Sequence, residues 1–482
     1  MNPPSSSLLA YRFPYQRDQL KTGIVHIGVG NFHRSHQAWY LHRLLSLDPA
    51  QSAWAICGVG LLPGDRTMRD VLERQKGLFT LLEKKPAREY SVEVIGSMAD
   101  YLFAPDDPWR VIERIAHPET RIVTLTITEG GYDSEPPVEP AALGLHLRQR
   151  TALSQAPVTA FGYLAAAFAL RQQRGAGPMT VLSCDNIQAN GAVCERACRR
   201  FAALGGPSLV EWVERNVSFP NCMVDRITPV TSDADCAVVR SQFGLDDLRP
   251  VPAEPFVQWV VEDHFAAGRP PLEKVGVQFV KDVAPYEKMK LRLLNCSHQA
   301  LGYFGVLLGH QFVHEAALDP DIARLLRHYM DREATPTLDP VPGVDLENYK
   351  QTLIERFQND SICDTLARIC AYSSERISKW LVPVIQDELR LGGPIDRSAG
   401  VVASWARYLE ALDVNGKPFN VVDRKRDEFV ALADQRQNPP EAFLKHPLFE
   451  GLGGQPRFVA SFVSARAQLD HDGPRALLRR WT

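Results

Sequence analysis

Near the middle of the chain, Lys290, Asn295 and His298 bring an amine, an amide and an imidazole close together. An amine or imidazole can take a proton from an alcohol, and an amide N–H can hold the oxyanion that results. Such a set suits the oxidation or reduction of a carbinol. All three lie in Lys288-Met289-Lys290-Leu291-Arg292-Leu293-Leu294-Asn295-Cys296-Ser297-His298, which follows the helix-start signal of Asp282 and Pro285. The apolar spacing predicts one long helix running to about Leu318. At about 100° per residue, with Lys290 at zero, His298 lies at about 80°, Asn295 at about 140° and Glu287 at about 60°, so all four share one side. Leu291 and Leu294 fall in the same arc, so spacing alone describes an ordinary half-buried helix face equally well.

Upstream, Gly23-Ile24-Val25-His26-Ile27-Gly28-Val29-Gly30 is a β-branched apolar run that ends in glycines. It continues into Asn31-Phe32-His33-Arg34-Ser35-His36 and a helical pattern through Leu45. Strand, tight turn and helix in that order form a dinucleotide-binding signal, with Gly28, Gly30, Asn31 and Phe32 at the turn and Arg34 able to add charge for phosphates. His33 stands where the third glycine of GxGxxG would be. After a second buried run, Trp54 to Gly60, the first acid is Asp65. It is read either as the group that binds the adenosine ribose, which would favour NAD over NADP, or as the cap of the helix that follows.

Further β-rich runs at Gly77 to Leu82, Tyr90 to Ile95 and Arg121 to Thr128 alternate with helical patterns, so the expected fold is α/β with a Rossmann-type doubly wound parallel sheet. Glu129 sits in a Gly-Gly turn at a strand end, a place for a proton path or a nicotinamide contact as well as for a plain turn carboxylate. Asn186 lies among the polar groups at the exit of the strand-like run Met179 to Ile187, where it can aim an amide at a ligand or serve as a plain turn residue. Asp225 is positioned either to bind substrate hydroxyls or to pair with Arg226. From about Asp282 helical periodicity takes over. The expected domains are therefore 1–283, dinucleotide-binding, and 284–482, mainly helical, with the segment around 358–380 packing back onto the first.

Composition narrows the class. A chain of 482 residues with 45% hydrophobic content holds about two or three folded domains. Its net charge of −3 and lack of a basic, aromatic-interleaved block give no footing for nucleic acid or an anionic membrane, which leaves a small molecule as the expected partner. The nine cysteines include no CxxC pair, so neither a zinc knuckle nor a disulfide framework is expected. Residues Met1 to Leu20 are polar, and no run approaches the ~18 apolar residues of a membrane helix, so a cytoplasmic location is expected. His310 and His314 have the i,i+4 spacing of helical metal ligands but no third partner, and are read as hydrogen-bonding histidines with no metal.

Together these blocks resemble the long-chain, polyol-specific dehydrogenases, also called the mannitol dehydrogenase family. The most specific match is Lys-x4-Asn-x2-His, met by Lys290, Asn295 and His298. Ser183-Cys184-Asp185-Asn186-Ile187, Thr128-Glu129-Gly130-Gly131-Tyr132, Val224-Asp225-Arg226, Thr335 to Gly343 and Tyr349 to Phe357 are also similar to family blocks, and a missing third glycine is a family habit. The resemblance implies zinc-independent, NAD-dependent interconversion of D-mannitol and D-fructose. Lys290 would be the general base, Asn186 and Asn295 the oxyanion amides, and His298 the group that orients substrate. Arg368, Asp225 and Lys379 would bind the remaining hydroxyls, and Glu287 and Glu129 would form a proton path or gate. By the same analogy the protein would be a monomer. D-arabinitol oxidation and hexuronate (fructuronate) reduction within the family, and a nonenzymatic NAD-binding module outside it, are the competing readings. A free lysine titrates near 10.4, so Lys290 acts as a base near neutrality only if burial or neighbouring cations disfavour its charge.

Overall fold

Six segments pair in parallel into one sheet: β1 (Thr22–Ile27), β2 (Ala55–Gly60), β3 (Met98–Phe103), β4 (Ile122–Leu125), β5 (Met179–Ser183) and β6 (Val217–Ser218), in the spatial order β3-β2-β1-β4-β5-β6. The structure is a computed structural model and describes residues 6–133, 157–433 and 438–481; residues 1–5 of the polar N-terminal stretch lie outside it. Alternate residues of each strand face opposite sides, and both sides are covered by helix. Val25, Ile27, Val59, Val123 and Val181 pack on α3 (Pro108–Ala116), α4 (Ala160–Arg174) and α5 (Asn190–Ala202). Ile24, Ile56, Ile122 and Leu182 pack on α2 (Gln37–Leu47), which follows the short α1 (Asn31–Ser35). The chain reverses its direction of progress between β1 and β4, the switch point where open sheets of this kind bind ligands.

Two runs expected in this sheet are not in it. Phe79–Lys85 and Glu89–Ile95 form a separate three-stranded sheet with Val251–Ala253. Only the turn Pro86–Arg88 separates them, and a return to a parallel neighbour needs a crossover of a dozen or more residues. The third strand of the main sheet is instead β3, an edge strand in which Ala99 is exposed and Asp100 breaks the apolar pattern. Beyond β6, β7 (Cys222–Asp225), β8 (Gln258–Glu262) and β9 (Gln278–Val280) make a small mixed sheet.

The chain divides into two compact units, one of residues 1–84 and 90–284, the other of 85–89 and 285–482. The second is helical. It contains α6 (Ala284–Lys290), α7 (Cys296–Leu307), α8 (Val313–Leu318), α9 (Pro320–Tyr329), α10 (Leu346–Phe357), α11 (Leu366–Cys370), α12 (Ser373–Leu391), α13 (Asp396–Tyr408) and α14 (Pro456–His471). The helix expected to run unbroken to Leu318 does not. A π turn, Leu291–Asn295, joins α6 to α7, and the chain leaves α7 at Gly309, whose φ of +88° no continuing helix can use. Among the described residues no helix is long and apolar enough to cross a membrane.

Near the end of α12, Glu388 is 1% exposed, Oε1 has no hydrogen-bond partner among the described residues, and the carboxylate lies over Gly393. Burial, then the charges of Glu333 and Asp387, push its carboxyl up to about 7, against the pull of Arg457. The folded state therefore holds a proton that the unfolded chain releases above the model-peptide value of 4.5. Its contribution to stability is fully present below 4.5 and is lost as the pH rises through 7. Glu388→Gln should raise the melting temperature at pH 8 by roughly 5 °C and leave it unchanged at pH 4. An equal shift at both pH values in calorimetry would contradict this account.

Candidate active site

At the switch point the backbone turns sharply after β1. Gly28 has a φ of +95°, and a Cβ there would stand 2.1 Å from the Thr126 carbonyl oxygen, so only glycine fits. Gly30, the residue before α1, has open space where a Cβ would go, with nothing nearer than the Gly28 oxygen at 3.9 Å. A phosphate could therefore approach this backbone closely. His33, in place of the third glycine, is buried and stacks on His26 with ring centroids 3.5 Å apart. His26 bridges the two strands: Nδ1 meets Thr124 Oγ1 at 2.8 Å, and Nε2 lies 3.0 Å from Thr126 Oγ1 and 3.2 Å from the Gly28 oxygen. Burial lowers its pKa to about 3, so the imidazole stays neutral.

The remaining turn residues divide. Phe32 is half-buried and stacks on His36. Asn31 gives its side-chain amide to the Pro229 carbonyl and Thr231 Oγ1, each at 3.0 Å, which leaves only its backbone for a ligand. Arg34 does not offer charge to phosphates, contrary to expectation. It is fully buried, donates to the Arg249 carbonyl and to Asn31 Oδ1, and lies over the Phe79 ring. It faces inward on a short helix whose outer positions are Asn31 and Phe32. Asp65 stands at the end of β2 against Gly60 and accepts the Leu62 N–H at 2.9 Å. That bond caps the 3-10 turn Pro63–Asp65, while Asp65 makes no side-chain cap on the helix Arg66–Arg74 that follows.

The ends of β4, β5 and β7 carry the other candidates of this unit. Glu129 is exposed, and the Gly-Gly turn it begins is a single helical turn, Glu129–Tyr132. Asn186 is exposed just past β5, while Asp225 is buried as the last residue of β7. The Arg226 guanidinium is committed to Ser35 O, Glu254 O and Glu83, the last at 2.8 Å, so Glu83 meets its charge. Sequence reasoning gave no role to His26, Asp185 or Asn190. Polar residues inside an apolar strand, or just past its end, were the available signal.

In the helical unit Lys290 and Asn295 are buried, at 7% and 4% exposure, and His298 is half-buried against the Phe357 ring at 4.6 Å. The π turn between them changes their geometry. The Cys296 N–H reaches back five residues to the Leu291 carbonyl. The extra residue takes back about 100° of rotation, so Lys290, Asn295 and His298 fall within an arc of about 60° rather than about 140°. Tyr329 donates its hydroxyl to the Arg292 carbonyl at 3.0 Å, supplying a donor to a turn whose carbonyls are out of α register. The flanking cations point away: Lys288 pairs with Asp339 at 2.9 Å, and Arg292 with Asp387 at 2.7 Å and with the Thr337 carbonyl. Glu287 is half-buried one turn before Lys290. Arg368 is paired with Asp364, and Lys379 is exposed on α12.

His310 and His314 do not share a helix. His310 lies in the loop after Gly309, 3.4 Å from Asp319, while His314 is on α8 and stacks on Phe312. No group of His, Cys, Asp and Glu among the described residues could hold a metal ion.

Residues 22–274 match the mannitol dehydrogenase Rossmann domain, and residues 282–470 match the mannitol dehydrogenase C-terminal domain. The chain belongs to the mannitol dehydrogenase family. It is 44% identical over 468 residues to mannitol 2-dehydrogenase of Aspergillus fumigatus, covering 95% of this chain and 93% of that one. It is 42% identical over 475 residues to mannitol 2-dehydrogenase of Pyricularia oryzae, covering 97% and 94%. Pseudomonas fluorescens mannitol 2-dehydrogenase, solved as a ternary complex with NAD and D-mannitol, aligns with a TM-score of 0.85 at 42% identity over 99% of this chain and 96% of that one. A substrate-free D-sorbitol dehydrogenase aligns with a TM-score of 0.88 at 36% identity over 96% of each.

In this mannitol dehydrogenase family member the two turn glycines differ in what they tolerate. Gly28→Ala should cost more than about 2 kcal/mol, through the Thr126 clash and the positive φ. Gly30→Ala should leave the melting temperature unchanged. Equal melting of both variants would contradict the geometry.

Proposed function

We propose that this protein oxidises D-mannitol to D-fructose with NAD, by metal-independent hydride transfer from C2 with Lys290 as general base. The reading rests on one observation: the Lys290, Asn295 and His298 set, drawn onto one helix face by a π turn, occurs in a chain that matches mannitol enzymes over almost its whole length. The sheet unit fits NAD. The open backbone at Gly30 leaves room for a pyrophosphate, and the carboxylate of Asp65 at the end of β2 suits two ribose hydroxyls and repels a 2′-phosphate.

Bound NAD supplies the hydride acceptor. The amine of Lys290 takes the proton of the C2 hydroxyl as hydride leaves C2. The amides of Asn186 and Asn295 hold the oxygen as it gains charge, and His298 orients the substrate. Asp225, Arg368 and Lys379 bind the other hydroxyls, and Glu287 and Glu129 pass the proton to solvent. A lysine serves as a base near neutrality where its charge is disfavoured. Burial is one such setting, and Lys290 is buried, while Lys288 and Arg292 are paired with Asp339 and Asp387. The protein acts as a cytoplasmic monomer in this reading. The likeness to a D-sorbitol dehydrogenase favours a second reading, another polyol as substrate, and D-arabinitol and fructuronate belong to the same comparison.

NADH formation from D-mannitol, run beside D-sorbitol and D-arabinitol and in reverse with D-fructose and D-fructuronate, all with EDTA present, tests both readings. D-Mannitol should be preferred and EDTA should have no effect; loss of activity with EDTA would overturn the metal-free mechanism. Lys290→Ala should lower kcat by about 10²–10⁴-fold with NADH affinity retained, and wild-type turnover would remove Lys290 from the chemistry. Asp65→Ser should raise kcat/KM with NADP at least tenfold over wild type. No gain with NADP would assign Asp65 to the turn alone.

A further inference from the structure

Asn186 is exposed just past the end of β5. Its backbone is nevertheless held on both sides. Asp185 is 8% exposed, and its carboxylate accepts the Ile127 N–H at 3.0 Å and the Thr128 N–H at 2.8 Å, one on each oxygen. The Tyr132 hydroxyl donates to the same carboxylate at 2.7 Å and also meets Ser183 Oγ at 2.6 Å. The Asp185 carbonyl accepts the Ile187 N–H at 2.9 Å, which closes a three-residue turn centred on Asn186. That carbonyl also accepts Asn190 Nδ2 at 3.1 Å, and the same amide pairs with both backbone groups of Cys222, at the start of the strand that ends in Asp225.

A buried carboxylate is costly unless several donors meet it, and an uncharged side chain of the same shape cannot accept two backbone N–H groups on two oxygens. The donors come from the segment that also holds the cofactor turn: Thr126 Oγ1 donates to the Gly28 carbonyl at 2.7 Å, and Thr128 is held at a φ of +65°. Asp185 therefore ties the end of β5 to the end of β4, and through it to the glycine turn of β1. We propose that Asp185 is a positioning residue that fixes the Asn186 amide relative to the dinucleotide turn. This rests on the assignment of Asn186 to the oxyanion.

The test is a double-mutant cycle of Asp185→Asn and Asn186→Ala, with kcat for D-mannitol oxidation expressed per NADH-binding site. Asp185→Asn should lower kcat by about 10- to 100-fold with the Kd for NADH unchanged, and the double variant should be no slower than Asn186→Ala alone. Loss of fold alone would reduce the number of NADH sites and leave kcat per site intact. Wild-type kcat per site in Asp185→Asn, or losses that multiply in the double variant while Asn186→Ala is itself slow, would overturn the proposal alone. Wild-type kcat in Asn186→Ala would overturn the oxyanion assignment, and the proposal with it. If Asp185→Asn yields no folded protein, Tyr132→Phe, which removes one donor from the same carboxylate, goes through the same cycle. A kcat loss that vanishes in its double variant supports the proposal; wild-type kcat or multiplying losses overturn it.

Discussion

Backbone groups just past the carboxyl ends of parallel strands have no further strand to pair with, and here side chains take them over. His26 and Thr126 hold the Gly28 carbonyl, Asp185 holds the Ile127 and Thr128 N–H groups, and Asn190 holds the Asp185 carbonyl and the Cys222 backbone. His26, Asp185 and Asn190 are buried and Thr126 is half-buried, and an unsatisfied buried polar group costs about 1–3 kcal/mol. The close approach of β1 to β4 that excludes any side chain at Gly28 depends on these bonds. The glycine turn and the surroundings of Asn186 are consequently parts of one hydrogen-bonded rim.

The helical unit solves a different problem. A face that buries a lysine and an asparagine beside a half-buried histidine must not strand charges next to it. Lys288 and Arg292 flank that face in sequence, but each has a carboxylate of its own in Asp339 and Asp387. The π turn costs helix regularity, and the Tyr329 hydroxyl compensates part of it at Arg292. In exchange, three groups that a regular helix would fan apart point the same way.

Much of this was legible in the sequence. Short continuous β-branched apolar runs alternating with helical patterns mark a parallel sheet, and the disappearance of such runs after Asp282 marks the helical unit, because hydrophobic spacing is a local property. The residue types Lys290, Asn295 and His298 were legible for the same reason. Hairpin placement was less legible: Phe79–Lys85 and Glu89–Ile95 look like sheet strands, and only the shortness of their connection excludes them from the main sheet.

The sequence by itself determined most of the strands and helices, the glycine turn after the first strand, and which functional groups are available, since these follow from side-chain chemistry and spacing along one chain. Tertiary structure alone decided how those groups face. Arg34 reads as a phosphate ligand until the Arg249 carbonyl and the Phe79 ring are seen around it. His310 and His314 read as a helical pair until Gly309 ends the helix before them. Asp185 has no role legible in the sequence until donors more than fifty positions away converge on it. In each case the deciding partner is distant in sequence, and a side chain's charge or hydrogen bond is committed only when the fold delivers that partner.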